Sequence, residues 1–321
     1  MDAVAAVDLG GTRIRLALVS RQGDILGRVV LPTLPDQGPY AAMHRLADAL
    51  LRLVHETGVR PRGVGIASAG PIHHPEGTLT HPPNLPGWDG FALAPAVERS
   101  VGLPAWADND ANLAALGEHA YGIARGWHTF AFIIWGTGIG GGLVLEGKLV
   151  RGAHGWGGEV GHIVVDPFGP PCGCGGYGCV EALAAGPAIA RTARARFVPY
   201  AFPILARLVG GDAQAITPEV LEDADLQGER PAGAFLIEAS VWLGQALASL
   251  ANTLDVQGIV VGGGVSRSLH RVLPSLRRVV HRHLIGGLKG KVPLLPSVLG
   301  DDAGLLGAAR LAWEHLGEGA L

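Results

Sequence analysis

Short apolar runs alternate with helical periodicity along the first half of the chain. AVAAVDL near the N-terminus and the two runs after it are separated by glycine or polar turns, which is typical of strands. In YAAMHRLADALLRLVHETG the apolar positions recur at helical spacing, and Gly58 stands where a C-terminal cap is expected. Strands are predicted at 3–9, 14–20, 25–31, 63–68 and 104–110, and helices at 40–58, 91–101 and 111–120.

The second half of the chain repeats this plan. HTFAFIIW turns at GTG into IGGGLVLE, just as AVAAVDL turns at Gly10 and Gly11 into IRLALVS. Each half therefore begins with a strand, a glycine turn and an antiparallel strand, which indicates two duplicated α/β domains around a cleft. Later helices are predicted at about 180–196, 235–254, 267–283 and 303–316, strands at 128–135, 139–146 and 292–298, and a helical insertion at 197–233.

Composition and charge restrict the class of protein. With 48% hydrophobic and 17% charged residues, the chain has the composition of a globular protein. Its net charge of −3 argues against a non-specific nucleic-acid partner, which would need a basic surface. The start resembles no signal peptide, and no apolar run approaches the ~18 residues of a membrane span, so we expect a cytoplasmic protein without a membrane partner.

Two glycine turns, DLGGT and WGTGIGGG, are candidates for phosphate binding. Glycines let backbone N–H groups approach a polyanion, and threonine hydroxyls can add donors. Either turn alone fits a plain hairpin equally well, but two turns at matching places favour phosphate binding. Asp8 could hold the water shell of Mg²⁺, and a third glycine cluster precedes a predicted helix. The predicted nucleotide-binding positions are Asp8, Gly10, Gly11, Thr12, Thr137, Gly138, Gly263 and Gly264.

The segment ADNDANLAALGE places two carboxylates and two amides, from Asp108 to Asn112, at a predicted strand–helix junction. Asp110 is placed to be the N-cap of the helix, and this is the alternative to a chemical role. Because a helix needs a single N-cap, the cluster also fits hydrogen bonding to a polyol. One of its carboxylates would then accept a hydroxyl proton.

All the cysteines of the chain lie within CGCGGYGC, downstream of a histidine. Three sulfurs and one nitrogen suit tetrahedral Zn²⁺, and four protein ligands leave no open position for a catalytic water. We therefore predict a structural zinc that braces the loop carrying Glu159 and Glu181, and three unrelated buried thiols are the alternative. The predicted zinc ligands are His162, Cys172, Cys174 and Cys179. Other histidines lack metal spacing and are expected on the surface or in loops, among them His73, His74, His81, His281 and His283.

The motifs DLGGT, NLPGW, NDANLAALGE, GTGIGGG, GGEVGH, CGCGGYGCVEA and GIVVGGGVS follow one another in this order. Together they resemble the ROK family of sugar kinases and repressors over almost the whole chain. The resemblance implies an actin-like, hexokinase-like ATPase fold. Its small domain would comprise 1–108 plus about 304–321, and its large domain about 109–303. Because the first strand begins so early, we expect no helix-turn-helix domain, and a kinase is favoured over a repressor.

The resemblance also implies an activity and the residues that carry it. A hexose 6-hydroxyl would attack ATP held with Mg²⁺, and Asp110 would be the general base. NLPGW and the complete zinc motif look most like the glucokinases of the family, so glucose is the expected hexose and glycolysis the expected setting. The implied sugar-binding residues are Asn84, Asn109, Asp110, Glu159, His162 and Glu181.

Alternatives remain open for the substrate, the donor and the class of function. The preferred hexose could be N-acetylmannosamine, N-acetylglucosamine, mannose or fructose, because recognition at the 2-position depends on loop shape. A non-catalytic sugar sensor is the alternative from another class, and polyphosphate is an alternative donor. The resemblance further suggests a homodimer or homotetramer.

Overall fold

The computed structural model describes residues 2–74, 76–82, 84–265 and 269–317. The chain folds into two compact units. Unit 1 consists of Met1–His128, Gly142–Gly158 and Ser297–Leu321, and unit 2 of Thr129–Gly141 and Glu159–Pro296. The predicted small domain ends at 108, whereas unit 1 continues to His128. The reason is that the helix after the NDAN motif packs on the C-terminal helix of the same unit.

Strands and helices follow the predicted order with small changes of boundary. Predicted helix 180–196 is two helices, because Gly186 and Pro187 begin a new one, and 197–233 contains two short helices. The strands are β1 (Ala3–Leu9), β2 (Arg13–Ser20), β3 (Ile25–Pro32), β4 (Pro61–Ser68), β5 (Ile72–His73), β6 (Thr78–Leu79), β7 (Ala105–Asn109), β8 (Phe130–Trp135), β9 (Ile139–Leu145), β10 (Lys148–Leu149), β11 (Gly258–Gly262) and β12 (Leu294–Pro296). The helices are α1 (Pro39–Thr57), α2 (Leu93–Val101), α3 (Asp110–Tyr121), α4 (Val180–Ala184), α5 (Gly186–Arg196), α6 (Pro203–Leu208), α7 (Pro218–Leu226), α8 (Arg230–Leu254), α9 (Leu269–His283) and α10 (Ala303–His315).

The first sheet has the strand order β3-β2-β1-β4-β7. The first three strands form the predicted antiparallel meander, and β4 and β7 continue the sheet in parallel with β1. The register pairs Leu9 with Ser68 and Ser68 with Asn109, so the parallel strands end at one edge of the sheet. Ligands of open α/β sheets bind outside the carboxyl ends of parallel strands, and this edge is therefore where a site is expected.

Helices cover both faces of this sheet. Val7 and Leu9 belong to the apolar cluster shared with α1 and α2, and Val4 and Ala6 belong to the cluster shared with α10. Successive strand residues point to opposite faces, so a strand buried on both faces is apolar throughout. This accounts for the apolar run at 3–7 in β1, which precedes Asp8.

The contact between α3 and α10 depends on glycines. A Cβ on Gly307 would lie 1.6 Å from the carbonyl oxygen of Leu113, and a Cβ on Gly117 would lie 2.3 Å from the carbonyl oxygen of Ala303. The two helix backbones therefore touch, and no side chain fits between them. Because α3 begins at Asp110, this contact also sets the position of the predicted base.

Replacing Gly307 with alanine is expected to destabilise the protein by at least about 1–3 kcal/mol, since the methyl group would push the two helices apart. Gly304→Ala in the same helix is the matched control, because its nearest neighbour, the carbonyl oxygen of Asp110, would be 3.8 Å from the new Cβ. That variant should keep or raise the stability by up to about 1 kcal/mol. Chemical denaturation measures both free energies of unfolding, and equal losses would contradict the packing argument.

The second sheet has the order β10-β9-β8-β11-β12. Within unit 2, β8, β11 and β12 run parallel, and the register pairs Ile134 with Gly262. The glycine turn after β8 and the glycines after β11 consequently lie at the same edge of this sheet. The glycine turn after β1 has the same place in the first sheet, which supports the predicted duplication.

Helix α8 is long and apolar enough to cross a membrane by length and composition alone. However, 61% of its most apolar window is buried in unit 2, where it packs on α9, α7 and α4. Phe235, Ala239, Leu243 and Ala246, which recur at helical spacing, are among its buried residues. The helix is therefore the core element of unit 2. The predicted helix 267–283 is described from Leu269 onwards, and 267 and 268 lie outside the described residues.

Candidate functional site

The glycine turn between β1 and β2 lies at the carboxyl edge of the first sheet. The N–H of Gly10 donates to the carbonyl of Arg13 (3.0 Å), and the hydroxyl of Thr33 donates to the carbonyl of Gly10 (2.6 Å). A Cβ on Gly11 would lie 2.5 Å from the carbonyl oxygen of Asn84. Glycine at this position thus lets the NLPGW loop approach the turn, so a predicted sugar-binding residue and a predicted phosphate turn are neighbours in unit 1.

Asp8, the predicted Mg²⁺ residue, is ion-paired with Arg15 on the adjacent strand. Burial raises the pKa of Asp8, the Arg15 guanidinium opposes this rise, and the carboxylates of Asp301 and Asp302 add to it. Arg15 also donates to the carbonyl of Asp301 (2.6 Å). A carboxylate is the ligand type that Mg²⁺ prefers, so Asp8 fits the predicted role. Arg15 is a counter-ion that the sequence pattern did not indicate.

Asn109 and Asp110 stand at the junction of β7 and α3, at the same sheet edge. The N-cap of α3 is Asn109 and not Asp110: the Asn109 Oδ1 accepts from the N–H groups of Ala111 (2.9 Å) and Asn112 (3.3 Å). The Asn109 Nδ2 donates to the carbonyl of Gly70 (3.1 Å). Asn109 therefore has a structural task in addition to the predicted sugar contact, and the alternative that Asp110 serves as the cap is wrong.

Asp110 is the first residue of α3 and is half-buried. Its Oδ1 accepts from the N–H of Ala111 (2.8 Å). The N-terminus of a helix carries a partial positive charge, which favours an ionised carboxylate there. An ionised carboxylate at this position can accept a proton from a bound hydroxyl group.

Two further polar side chains, those of His74 and Arg151, lie at this junction. Arg151 Nε donates to Oδ2 of the buried Asp108 (2.8 Å), and His74 Nε2 lies 3.2 Å from Asp108 Oδ1. The expectation that His74 is only a surface or loop residue misses this contact, because His74 and Asp108 are far apart in the sequence. Four other histidines are exposed as expected, namely His73, His81, His281 and His283.

The second glycine turn and the glycines after β11 lie side by side in unit 2. A Cβ on Gly263 would lie 2.6 Å from the carbonyl oxygen of Trp135, and a Cβ on Gly136 would lie 3.5 Å from the nitrogen of Gly264. The backbone of the turn after β8 thus lies close to the backbone of the glycine segment after β11, and side chains at these positions would hinder this contact. This arrangement brings together the predicted nucleotide-binding positions of unit 2, namely Thr137, Gly138, Gly263 and Gly264.

A cavity of about 420 Å³ opens beside this turn. It is lined by Thr137, by Gly264, by the N-terminal ends of α5 and α7, and by Arg194. Arg194 donates to the carbonyl of Ile216 (2.9 Å), and its Nε is buried without a hydrogen-bond partner among the residues that the structure describes. The volume is that of a small-molecule site. Neither Arg194 nor the α7 end was predicted, because neither α5 nor residues 197–233 carry a motif.

Glu159, His162 and Glu181 of the predicted sugar site belong to unit 2. His162 Nε2 lies 3.8 Å from Glu159 Oε2. Burial raises the pKa of Glu159, His162 opposes this rise, and the Glu181 carboxylate adds to it. Glu181 Oε2 accepts from the N–H of Ile139 (2.9 Å), and a Cβ on Gly138 would lie 2.8 Å from the same oxygen. The Glu181 carboxylate thus connects the segment after the cysteines to the glycine turn.

The other nitrogen of His162 faces the cysteines. His162 Nδ1 lies 3.6 Å from Cys172 Sγ, Cys174 Sγ lies 3.7 Å from Cys179 Sγ, and the four ligand atoms all lie within 4.8 Å of one another. Tetrahedral zinc, with Zn–S of about 2.3 Å and Zn–N of about 2.0 Å, requires S···S of about 3.8 Å and N···S of about 3.5 Å. The donor set and its spacing therefore fit a structural zinc ion, and the thiols are not unrelated.

The cysteine loop closes tightly because of its glycines. Gly178 has a φ of 66°, and a Cβ there would lie 1.5 Å from the carbonyl oxygen of Asp166. The N–H of Gly178 donates to the carbonyl of Pro170 (2.9 Å), and the N–H of Cys172 donates to that of Gly176 (2.8 Å). These contacts bring the two ends of the loop together and place its sulfur atoms side by side.

Two α/β units with glycine turns at their sheet edges, and a carboxylate at a strand–helix junction, define a phosphotransferase of the hexokinase-like ATPase class. The chain belongs to the ROK family, whose model matches residues 4–315. It is similar to the glucokinase of Thermotoga maritima, with 35% identity over 97% of each chain. It is also similar to the N-acetylmannosamine kinase of Escherichia fergusonii, with 37% identity over 96% of this chain and 97% of the other.

One solved structure adds a comparison of the fold. The ROK family glucokinase from Streptomyces griseus in complex with glucose and AMPPNP has a TM-score of 0.82 and 37% identity, and the match covers 97% of this chain and 99% of that one. The comparisons confirm the predicted family, the predicted fold and the prediction of a hexose kinase.

Proposed function

We propose that this chain transfers the γ-phosphoryl group of ATP to the 6-hydroxyl of glucose. The observation that carries the proposal is that Asn109, and not Asp110, is the N-cap of α3. The helix therefore does not require the Asp110 carboxylate as its cap, which supports a chemical role for it. Glucokinase relatives at 35% and 37% identity over nearly the whole chain support glucose as the acceptor. The complex of the Streptomyces griseus glucokinase with glucose and AMPPNP supports ATP as the donor.

Asp110 accepts the proton of the 6-hydroxyl as its oxygen attacks the γ-phosphorus. In phosphoryl transfer the protein mostly positions the reactants and stabilises charge, so a carboxylate of ordinary acidity is adequate as the base. In unit 1 we assign sugar contacts to Asn84 and Asn109, and in unit 2 to Glu159, His162 and Glu181. For Asn109 this contact uses the Nδ2 hydrogen that is not directed at Gly70.

Backbone N–H groups of the two glycine turns hold the phosphate oxygens of ATP. The cavity beside Thr137 and Gly264 has the size for the nucleoside. Asp8 is the carboxylate that would hold the water shell of Mg²⁺. When bound, Mg²⁺ supplies charge neutralisation for the transferred phosphoryl group.

The cluster of three cysteines and His162 would hold a structural zinc. Zinc bound there would fix the fold of the cysteine loop and would take no part in the reaction, because four protein ligands would leave no open position. His162 would then hold zinc through Nδ1 and direct Nε2 towards Glu159 and the sugar. We propose a cytoplasmic homodimer or homotetramer with a role in glycolysis as the setting of the enzyme.

With ATP as donor, kcat/KM for glucose is expected to exceed that for each other hexose by at least about 10-fold, because a site that hydrogen-bonds the hydroxyl groups of one hexose leaves polar groups unpaired when it binds another. A coupled assay of ADP release across glucose, mannose, fructose, N-acetylglucosamine and N-acetylmannosamine measures this. The N-acetylmannosamine kinase relative makes that sugar the principal competitor.

The same assay distinguishes the remaining functions. A preference for N-acetylmannosamine would replace glucose as the substrate and keep the kinase. Sugar binding without ADP release from any hexose would favour the sugar sensor. Formation of glucose 6-phosphate with polyphosphate faster than with ATP would change the donor.

A further inference from the structure

Asp108 is a buried carboxylate that lies two residues before the proposed base. It is 1% exposed, and both of its oxygens have partners. Oδ1 accepts from the N–H of Asn109 (2.7 Å) and from the Nδ2 of Asn112 (3.0 Å), and Oδ2 accepts from the Nε of Arg151 (2.8 Å). His74 Nε2 lies 3.2 Å from Oδ1. One side chain thus contacts four polar groups.

These partners come from separate segments of unit 1. His74 follows β5 in the hairpin formed with β6, Arg151 follows β10, and Asn112 lies in the first turn of α3. Asp108 therefore links the segment after β5 and the segment after β10 to the junction of β7 and α3. A site residue is held accurately only when its neighbours are themselves fixed by hydrogen bonds and packing, and this junction has such support.

The electrostatics of Asp108 couple these segments. Burial by itself raises the pKa of Asp108, but the neighbouring His74 and Arg151 side chains and the hydrogen bond from Asn112 outweigh burial, so the pKa lies below its usual value. The carboxylate is consequently ionised at neutral pH. A buried charge of this kind is stable only while its partners stay in place, because the loss of one leaves an uncompensated charge.

We propose that Asp108 is a positioning residue for the phosphoryl transfer, holding the backbone at Asn109 so that the carboxylate of Asp110 meets the sugar hydroxyl. His74 and Arg151 fix Asp108 from two other segments of the chain. The proposal rests on the proposed role of Asp110 as the base. Its physical reason is that an error of about 1 Å in the position of a reacting group can cost about 10²-fold in rate.

A double-mutant cycle tests this proposal. Asp108→Asn in the otherwise unchanged protein is expected to lower kcat by about 10- to 10²-fold. In the Asp110→Asn background, the same substitution is expected to lower the residual kcat by less than about 2-fold, because no base remains to be positioned. Equal fold losses in the two backgrounds would show that Asp108 acts independently of Asp110 and would overturn the proposal.

Asp225→Asn is the matched control. Asp225 is a buried aspartate of unit 2 that is paired with Arg271 (2.7 Å) and Arg230 (3.4 Å). Its replacement should lower the melting temperature about as much as Asp108→Asn, while kcat changes by the same small factor in both backgrounds. If Asp225→Asn reproduced the kcat loss and the non-additivity of Asp108→Asn, the effect would be one of general stability, and the proposal would fail.

Two outcomes keep this proposal separate from the proposed function. If Asp110→Asn alone keeps near-normal kcat, the proposed base is wrong, and the positioning role falls with it. If Asp110→Asn keeps only the expected residual kcat and Asp108→Asn causes equal fold losses in the two backgrounds, only the positioning role is overturned. Should Asp108→Asn fail to fold, Arg151→Gln replaces it in the cycle, since the Arg151 side chain is one-third exposed and its loss still releases one oxygen of Asp108. The same non-additivity is expected, and additive losses again overturn the proposal.

Discussion

Asp110→Asn is expected to lower kcat with glucose by at least about 10²-fold and to leave glucose binding nearly unchanged. The amide has the shape of the carboxylate and can still accept hydrogen bonds through its oxygen, but it has no basic oxygen to take a proton at neutral pH. The Oδ1 contact with the N–H of Ala111 survives in the amide, so the start of α3 should keep its structure. Rates come from the coupled ADP assay, and glucose affinity from calorimetry.

Asp48→Asn is the control for loss of an acidic charge. Asp48 is exposed on α1 of the same unit and is not part of the candidate site, so this variant should keep its kcat within about 2-fold. Near-normal turnover of Asp110→Asn, with the protein folded, would remove Asp110 from the role of base. A large loss of glucose affinity in that variant would instead indicate that Asp110 mainly binds the sugar.

Local patterns were sufficient to predict most of the fold. The apolar run AVAAVDL is β1 within the predicted bounds, and Gly58 is the C-terminal cap of α1 in the left-handed conformation, because both depend on short-range chemistry. The boundary of unit 1 was less predictable. It depends on the backbone contact of Gly117 and Gly307 between α3 and α10, and no local pattern shows which glycines of a chain will meet.

In the candidate site too, features that depend on nearby residues could be predicted, and features that depend on distant contacts could not. His162 and the cysteines were predictable because metal ligands must be of a few residue types and close in sequence when one loop supplies most of them. His74, Arg151 and Arg194 were not predictable, because each acquires its role from a partner distant in the sequence or from a cavity. Asn109 and Asp110 were both predicted as site residues, but which of them caps α3 depends on side-chain geometry that their spacing does not determine.

Cys179→Ser is expected to reduce the metal content of the purified protein from about one zinc per chain to nearly none. Cys179 is buried and lies 3.7 Å from Cys174 Sγ, so a hydroxyl in its place cannot complete the sulfur-rich set. The melting temperature should fall by at least about 5 °C, since loss of a structural metal is among the largest single-site effects. Because α4 begins directly after Cys179 and carries Glu181, activity with glucose should fall by about 10–100-fold.

Tyr177→Phe is the control within the same loop. Tyr177 is exposed, and the contact that it makes with Pro171 is between backbones, so this variant should keep its metal, its melting temperature and its activity. Elemental analysis gives the metal content, and a chelator added to the unchanged protein should reproduce the losses of Cys179→Ser, since ligand loss and metal removal act on the same loop. A metal-free preparation with full activity and an unchanged melting temperature would show that the cysteine cluster folds without zinc. The stability of the loop would then have to come from its glycine turns and backbone hydrogen bonds alone.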